Sequence, residues 1–306
     1  MHYLVTGGCG FIGSHLVERL LAGGHLVTVI DDLSSGRRDN IPAQAGLLVS
    51  DITTPGIFDS VIENIDGCFH LAAIVSVQRS MTEWLRTHQV NVDGTVALFD
   101  ALARRGRRIP VVFASSAAVY GDSQELPLKE TAHCAPLSAY GADKLACEWH
   151  GRLAAQAHGI PTTGLRFFNA YGPRQDASSP YSGVISIFAS RMRAGKALTI
   201  FGDGGQSRDF IYVGDAVNAL AASMQALEAQ RLTHGVFNIC TGISTTINDL
   251  AKAMASVSGS NSEIRHASPR AGDIRASVGD PALAAKEFGF RVSIPLQEGL
   301  KRLMAE

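Results

Sequence analysis

The chain has 306 residues, 46% hydrophobic and 18% charged, with 31 Gly and 11 Pro. That length reaches the upper edge of what one hydrophobic core supports, and the composition excludes a disordered, collagenous or disulfide-stapled chain. With 27 Lys and Arg against 28 Asp and Glu, the net charge of −1 leaves no global positive field to recruit nucleic acid or an anionic membrane.

Short apolar runs alternate with amphipathic segments through the first half. Strands are predicted at His2–Thr6, His25–Ile30, Gly46–Val49, Cys68–Leu71, Ile109–Ala114 and Thr162–Phe168. Helices are predicted at Phe11–Ala22, through most of Arg79–Arg104, and at Leu137–His158. Strands that are apolar nearly throughout, separated by helices, imply an α/β fold: a doubly wound parallel sheet of the Rossmann type, covered on both faces. After Asn169 the run AYGPRQDASSPYSG reads as a loop. Beyond it come helices at Val184–Ala194, Asp215–Ala226 and Thr246–Ser256, with strands near Leu198–Phe201 and Val236–Ile239. The expected division is a dinucleotide-binding domain over 1–169 and a smaller C-terminal α/β substrate lobe over 170–306, some segments returning to the sheet. The opening MHYLVTGGCGFIG has no basic n-region, and no apolar run approaches the ~18 residues of a membrane span. Five scattered cysteines and ten histidines without ligand spacing point to reduced thiols and no metal. A cytoplasmic protein is expected.

The first strand runs into Gly7-Gly8-Cys9-Gly10-Phe11-Ile12-Gly13, which reads as GxGxxG from Gly8 or GxxGxxG from Gly7. Glycines let backbone approach a pyrophosphate, and the unpaired amides at the helix start (Phe11, Ile12) face its oxygens. The next strand ends in Asp31-Asp32, where a carboxylate receives an adenosine ribose and repels a 2′-phosphate, favouring NAD over NADP. Arg37 and Arg38 speak for NADP. Asp51 and Ile52 would frame the adenine; a plain strand-end Asp is the alternative. Further on, Ser115-Ser116 end a strand, and Tyr140 and Lys144 lie four apart, one turn along a helix. An ammonium beside a phenol favours the phenolate, which suits general base work, and a strand-end Ser facing the same oxygen completes the group. An exposed Tyr/Lys pair on a helix is the plain alternative.

TGGCGFIG, HLAA at 70–73, SSAAVYG at 115–121, YGADK, LRFFNAYGPRQ at 165–175 and SRDFIYVGD at 207–215 stand in one order. Together they resemble the extended short-chain dehydrogenase/reductase family, and within it the UDP-hexose and UDP-N-acetylhexosamine 4-epimerases. The resemblance implies a tightly bound NAD held by Gly7, Gly10 and Gly13, by Asp31 on the ribose, and by Asp51 and Ile52. It also implies Leu71, Ala72 and Ala73 along the cofactor, Lys144 on the nicotinamide ribose and Phe168 at its substrate end. Tyr140 would be the base and Ser116 its partner, with Ser115 a close neighbour. Phe167 and Phe168 equally suit the core. For a UDP-sugar, the resemblance implies Asn169 and Val184 on the substrate side, Phe201 at the uracil edge, Arg208 and Arg270 on the diphosphate, and Asp273 on the uridine ribose. Arg208 paired with Asp209 or Asp215 on a solvated loop is the alternative.

The implied reaction takes the sugar 4-OH to a 4-keto intermediate and back to the opposite epimer. Dehydratases of the family carry an Asp-Glu pair, and decarboxylases usually a Glu, where this chain has Ala117 and Ala118. Other sugar-nucleotide oxidoreductases, or UDP-glucuronate epimerases and decarboxylases, are the competing readings. Two departures stand out. Val75 replaces a lysine common in epimerases, and Ser277 stands where glucose/galactose-restricted relatives tend to carry Tyr. The small Ser277 is expected to admit an N-acetyl group. By the same resemblance the partner is a second copy, Arg79–Arg104 and Leu137–His158 pairing into a four-helix bundle.

Overall fold

The computed structural model describes residues 1–176, 183–269 and 272–305. In chain order the strands are β1 (His2–Thr6), β2 (Leu26–Asp31), β3 (Gly46–Val49), β4 (Gly67–His70), β5 (Val111–Ser116), β6 (Thr162–Phe167), β7 (Asn169–Tyr171), β8 (Leu198–Phe201), β9 (Ser207–Arg208), β10 (Phe210–Tyr212), β11 (His234–Ile239), β12 (Thr245–Thr246), β13 (Ile264–Ala267) and β14 (Ala276–Ser277). The helices are α1 (Phe11–Ala22), α2 (Val77–Thr82), α3 (Trp84–His88), α4 (Gly94–Arg104), α5 (Ala139–His158), α6 (Val184–Arg193), α7 (Val213–Glu228), α8 (Ile247–Ser258), α9 (Ala282–Phe288) and α10 (Leu296–Met304).

Seven strands form one parallel sheet in the order β11-β6-β5-β4-β1-β2-β3. The order reverses beside β1, and this is the doubly wound sheet that the sequence predicts. Alternate residues supply its two faces. Tyr3, Val5, Val29 and Val112 pack with Leu16, Val17 and Leu220 of α1 and α7. Leu4, Ile30, Cys68 and Phe113 pack with Leu98, Leu102 and Cys147 of α4 and α5. Helix α5 comes unusually near the sheet because residue 151 is glycine: a Cβ there would stand 2.7 Å from the Phe113 ring. Ser138 caps its first turn by accepting from the Gly141 amide at 3.1 Å, and Gly159 closes its end at φ 65°.

Small sheets of two or three strands (β10-β7, β12-β9-β14 and β13-β8) assemble from the chain beyond residue 168. β11 leaves that region to pair with β6 at one edge of the main sheet. Among the described residues, no helix is long and apolar enough to cross a membrane, and no group of His, Cys, Asp or Glu is arranged to hold a metal ion.

Arg79–Arg104 is helical through most of its length, as expected, but not as one α-helix: it breaks at Glu83 (φ −118°, ψ 48°), and Gln89–Asp93 is a π-helical turn before α4. The reason lies in Asn91. Its side chain accepts from the Ile74 amide at 2.8 Å and donates to the Ile74 carbonyl at 3.2 Å. That pair of hydrogen bonds holds the loop after β4, and Asn91 makes it from within the π turn.

Candidate active site

The carboxyl ends of β1, β4 and β5 converge at the point where strand order reverses. Gly7 leaves β1 at φ 69°, and a Cβ there would lie 2.7 Å from the Ala72 amide nitrogen. A Cβ on Gly13 would stand 2.1 Å from the Gly7 carbonyl oxygen. No side chain caps α1, and its first turn carries no acid, so the amides of Phe11 and Ile12 and the positive end of the helix dipole remain for an anion. The residues present therefore fit a dinucleotide pyrophosphate.

Of the two acids ending β2, only Asp31 turns to this loop. It accepts from the Cys9 amide and the Leu33 amide, both at 2.9 Å. Burial pushes its carboxyl up, and those two amides oppose the shift. Asp32 is exposed and holds Ser34 instead, its oxygen accepting the Ser34 hydroxyl at 2.6 Å. Arg37 is engaged by Asp39 at 2.6 Å.

Asp51 accepts from the Thr53 amide and hydroxyl at 2.8 Å each and pairs with Arg86 of α3. Burial alone would raise this carboxyl, but Thr53 and Arg86 hold it below the ordinary value. Ile52 is buried against Gly94.

The HLAA loop is tied to β1 through Thr6, whose hydroxyl oxygen accepts from the amides of Leu71 and Ala72 at 3.1 and 3.2 Å. The partly buried Ala73 follows. His70 bridges Thr6 and Thr95 at 2.8 and 3.1 Å. Burial, helped by the Lys144 charge, pushes His70 down to about 3, so its ring is neutral.

Tyr140 and Lys144 are both buried, at 9% and 4% exposure, in the first turns of α5. The Lys144 ammonium stands 5.9 Å from the Tyr140 ring centroid, which removes the reading of an exposed surface pair. The turn carrying Tyr140 packs on the segment after β5: a Cβ on Gly141 would lie 2.7 Å from the Ala118 carbonyl. Ser116 begins that segment, partly buried, its oxygen accepting the Ala118 amide at 3.2 Å.

Ser115, the close neighbour of Ser116, is engaged elsewhere. Adjacent strand residues face opposite sides, and Ser115, 2% exposed, donates its hydroxyl to Glu148 at 2.5 Å, on the other side of the strand from Ser116. Phe168 belongs to a buried cluster with Val119, Tyr120, Leu128 and Cys240, the core role that its sequence left open.

Farther out, Asn169 is exposed at the start of β7, Val184 opens α6 behind an uncapped Gly183, and Phe201 closes β8, partly buried. Arg208 on β9 pairs with neither Asp209 nor Asp215. It donates to Asp273 at 2.5 Å, so two groups expected to hold the nucleotide hold each other. Asp209 instead receives Thr241 and Gly242, and Asp215 receives Ser293. Ser277 on β14 stands in register with Arg208. Arg270 lies outside the described residues.

Sequence reasoning missed Asn91 and Ser80, whose hydroxyl accepts the Tyr140 amide at 3.1 Å. Both partners lie far away along the chain, so no local pattern announces them. Glu148 was within reach, since it continues the Tyr140/Lys144 spacing by another four.

The model of the NAD dependent epimerase/dehydratase family matches residues 3–240. UDP-glucose 4-epimerase of Mycolicibacterium smegmatis is 36% identical over 99% of this chain and 97% of its own. The solved UDP-glucose 4-epimerase of Thermotoga maritima, with UDP-glucose, superposes with a TM-score of 0.94 at 36% identity, covering 100% of this chain and 98% of that one. UDP-N-acetylglucosamine 4-epimerase of Methanobrevibacter ruminantium, in complex with UDP-N-acetylmuramic acid, gives 0.94 and 36% over 99% of this chain and 97% of that one. Whole-length similarity on a doubly wound sheet with this glycine cradle places the chain in the NAD dependent epimerase/dehydratase family, with NAD as its cofactor.

Proposed function

We propose that the protein is an NAD-dependent UDP-sugar 4-epimerase. The observation that carries this reading is the buried Tyr140/Lys144 pair packed against the Ser116 turn, beside an uncapped helix end fit for a pyrophosphate. Gly7, Gly10, Gly13, Phe11, Ile12 and Asp31 would hold the dinucleotide, with Lys144 at the nicotinamide ribose. When bound, NAD supplies a reversible hydride acceptor for the sugar carbon.

The Tyr140 oxygen takes the proton of the sugar 4-OH and later returns it, and Ser116 orients that oxygen by hydrogen bonding. Lys144 stands beside the phenol, its ammonium 5.9 Å from the Tyr140 ring centroid. Ala117 and Ala118 offer no carboxylate to remove a C5 proton, so elimination has no base here. Arg208, Asp273 and the uncapped start of α6 would anchor the UDP portion. Binding placed on the nucleotide leaves the hexose ring free to turn over.

Ser277 stands in register with Arg208, and its small side chain would leave room for an N-acetyl group on a sugar bound there. Similarity to both a UDP-glucose and a UDP-N-acetylglucosamine 4-epimerase supports a permissive pocket. We therefore assign UDP-GlcNAc/UDP-GalNAc at least as readily as UDP-Glc/UDP-Gal. A second copy of the chain is the proposed partner: Trp84 and Leu85 on α3 and Trp149 and Leu153 on α5 are exposed, the two tryptophans at 65% and 61%, on helices that pack together. Five unpaired cysteines fit a cytoplasmic setting.

Product analysis with the four UDP-sugars and no added cofactor tests the activity. Interconversion of C4 epimers supports it; net NADH formation or CO2 release in its place overturns it. Tyr140→Phe should lower kcat by about 10³-fold, and full activity in that variant would remove the proposed base.

A further inference from the structure

Tyr140, Lys144 and Glu148 follow one another at intervals of four along α5, on one face and one turn apart. That spacing ordinarily lets a lysine pair with the glutamate one turn on. Here the pair does not form. Among the described residues, no carboxylate lies within ion-pair distance of the Lys144 ammonium, which sits toward the Tyr140 ring. The neighbouring acid, Asp143, is turned to His88 at 2.8 Å.

The oxygens of Glu148 are already engaged. One accepts from the Ser115 hydroxyl at 2.5 Å and from Arg166 Nε at 2.8 Å, and the other from Arg166 Nη2 at 2.7 Å. Arg166 is itself locked in place. Its Nη1 donates to the Tyr120 hydroxyl at 2.8 Å and to the Glu130 carbonyl at 3.2 Å, and its guanidinium lies 4.7 Å from the Tyr120 ring centroid. Burial works against its charge, and Glu148 more than offsets that, holding the group above the ordinary arginine value. A buried ion pair adds little stability over apolar side chains of the same size. Its presence one turn along α5 from Lys144 therefore asks for another purpose.

We propose that Arg166, with Ser115, is a positioning residue: by occupying Glu148 it withholds the carboxylate that would draw Lys144 down the helix, and so keeps the ammonium at Tyr140. The catalytic consequence rests on the 4-epimerase reading above; the position of Lys144 does not.

The test uses full-length, NAD-loaded protein carrying Arg166→Met, Glu148→Gln, or both. In Arg166→Met, Glu148 is freed, and kcat should fall roughly tenfold or more, with KM for the UDP-sugar within about twofold. Glu148→Gln removes the competitor, so kcat should stay within about threefold of the parent. The double variant should regain most of what Arg166→Met loses. A pair that merely holds the fold gives the opposite pattern: both single variants orphan one buried charge and lose activity alike, in step with their melting temperatures, which would overturn the proposal.

Two readouts need no UDP-sugar turnover. In a crystal structure of Arg166→Met, Lys144 Nζ should approach Glu148 within about 4 Å; an unmoved Lys144 overturns the proposal. Calorimetry should show NAD binding weakened in Arg166→Met and not in Glu148→Gln. Should Arg166→Met fail to fold, Arg166→Lys keeps the charge but not the fork, and a smaller loss reversed by Glu148→Gln is expected. Loss there without reversal overturns the proposal. If the parent protein epimerises none of the four sugars, the reading under Proposed function fails, while the crystal structure and the NAD titration still decide where Lys144 goes.

Discussion

The two ends of the candidate cleft are prepared differently. At the dinucleotide end, the acid is tied into the fold and the donors are left open. Asp31 is fixed by two amides while the first turn of α1 has no capping side chain. At the proposed nucleotide-sugar end the charges satisfy one another: Arg208 and Asp273 form an ion pair at 2.5 Å between small strands and loops. The first arrangement costs little reorganisation when an anion arrives. The second would have to exchange one partner for another to clamp a diphosphate and a ribose in the roles proposed for it. We read the contrast as the division of labour an epimerase needs, a dinucleotide retained through every turnover and a substrate that comes and goes.

Breaking the prepared end should have the largest effect. Gly13→Ala sets a methyl group where 2.1 Å separates a Cβ from the Gly7 carbonyl. We expect protein that carries no dinucleotide after purification and shows no activity, read from the absorbance of the released cofactor. Retention of NAD in that variant would mean the cradle is not the binding site. Breaking the exchangeable end should be milder and selective. Losing a charge-assisted contact in Arg208→Ala should raise KM for UDP-sugars roughly 10- to 100-fold, with dinucleotide content unchanged. A variant with altered NAD content and unaltered KM would reverse the assignment of the two ends.

Ser277→Tyr sharpens the comparison within the substrate end. It should lower kcat/KM for the N-acetylated sugars at least roughly tenfold and leave UDP-Glc and UDP-Gal nearly untouched; an equal effect on all four would remove Ser277 from the sugar wall. The smallest effect concerns stability alone. His70 titrates at about 3 in the fold against 6.5 ordinarily, so between those values the unfolded chain binds more protons. The contribution of His70 to stability is therefore complete above 6.5 and is lost as pH falls toward 3. His70→Gln should flatten the fall of melting temperature between pH 6.5 and 5, and an unchanged slope would show that another group causes it.

What the sequence made legible is what is encoded at short range. The β1–loop–α1 unit needs only glycines at fixed offsets between an apolar strand and an amphipathic helix, and α1 runs over Phe11–Ala22 as expected. Tyr140 and Lys144 meet because they are four apart on one helix. Contacts between distant segments were not legible. Nothing near Arg208 reveals that its partner is Asp273, and nothing near Asn91 reveals that Ile74 will bend its helix into a π turn. The two serines of β5 show the limit most sharply. Both looked suited to a substrate, and only the pleat, read together with Glu148 on α5, separates the one in the core from the one in the cleft.

The most direct test of transient oxidation at C4 follows a label. UDP-galactose carrying deuterium at C4 is incubated with the protein as purified, and the product is examined by NMR. We expect UDP-glucose with deuterium retained at C4, no deuterium in the solvent and no net NADH. Deuterium washed into water, or product formed only with added NAD and with NADH accumulating, would contradict a hydride that leaves one carbon and returns to it.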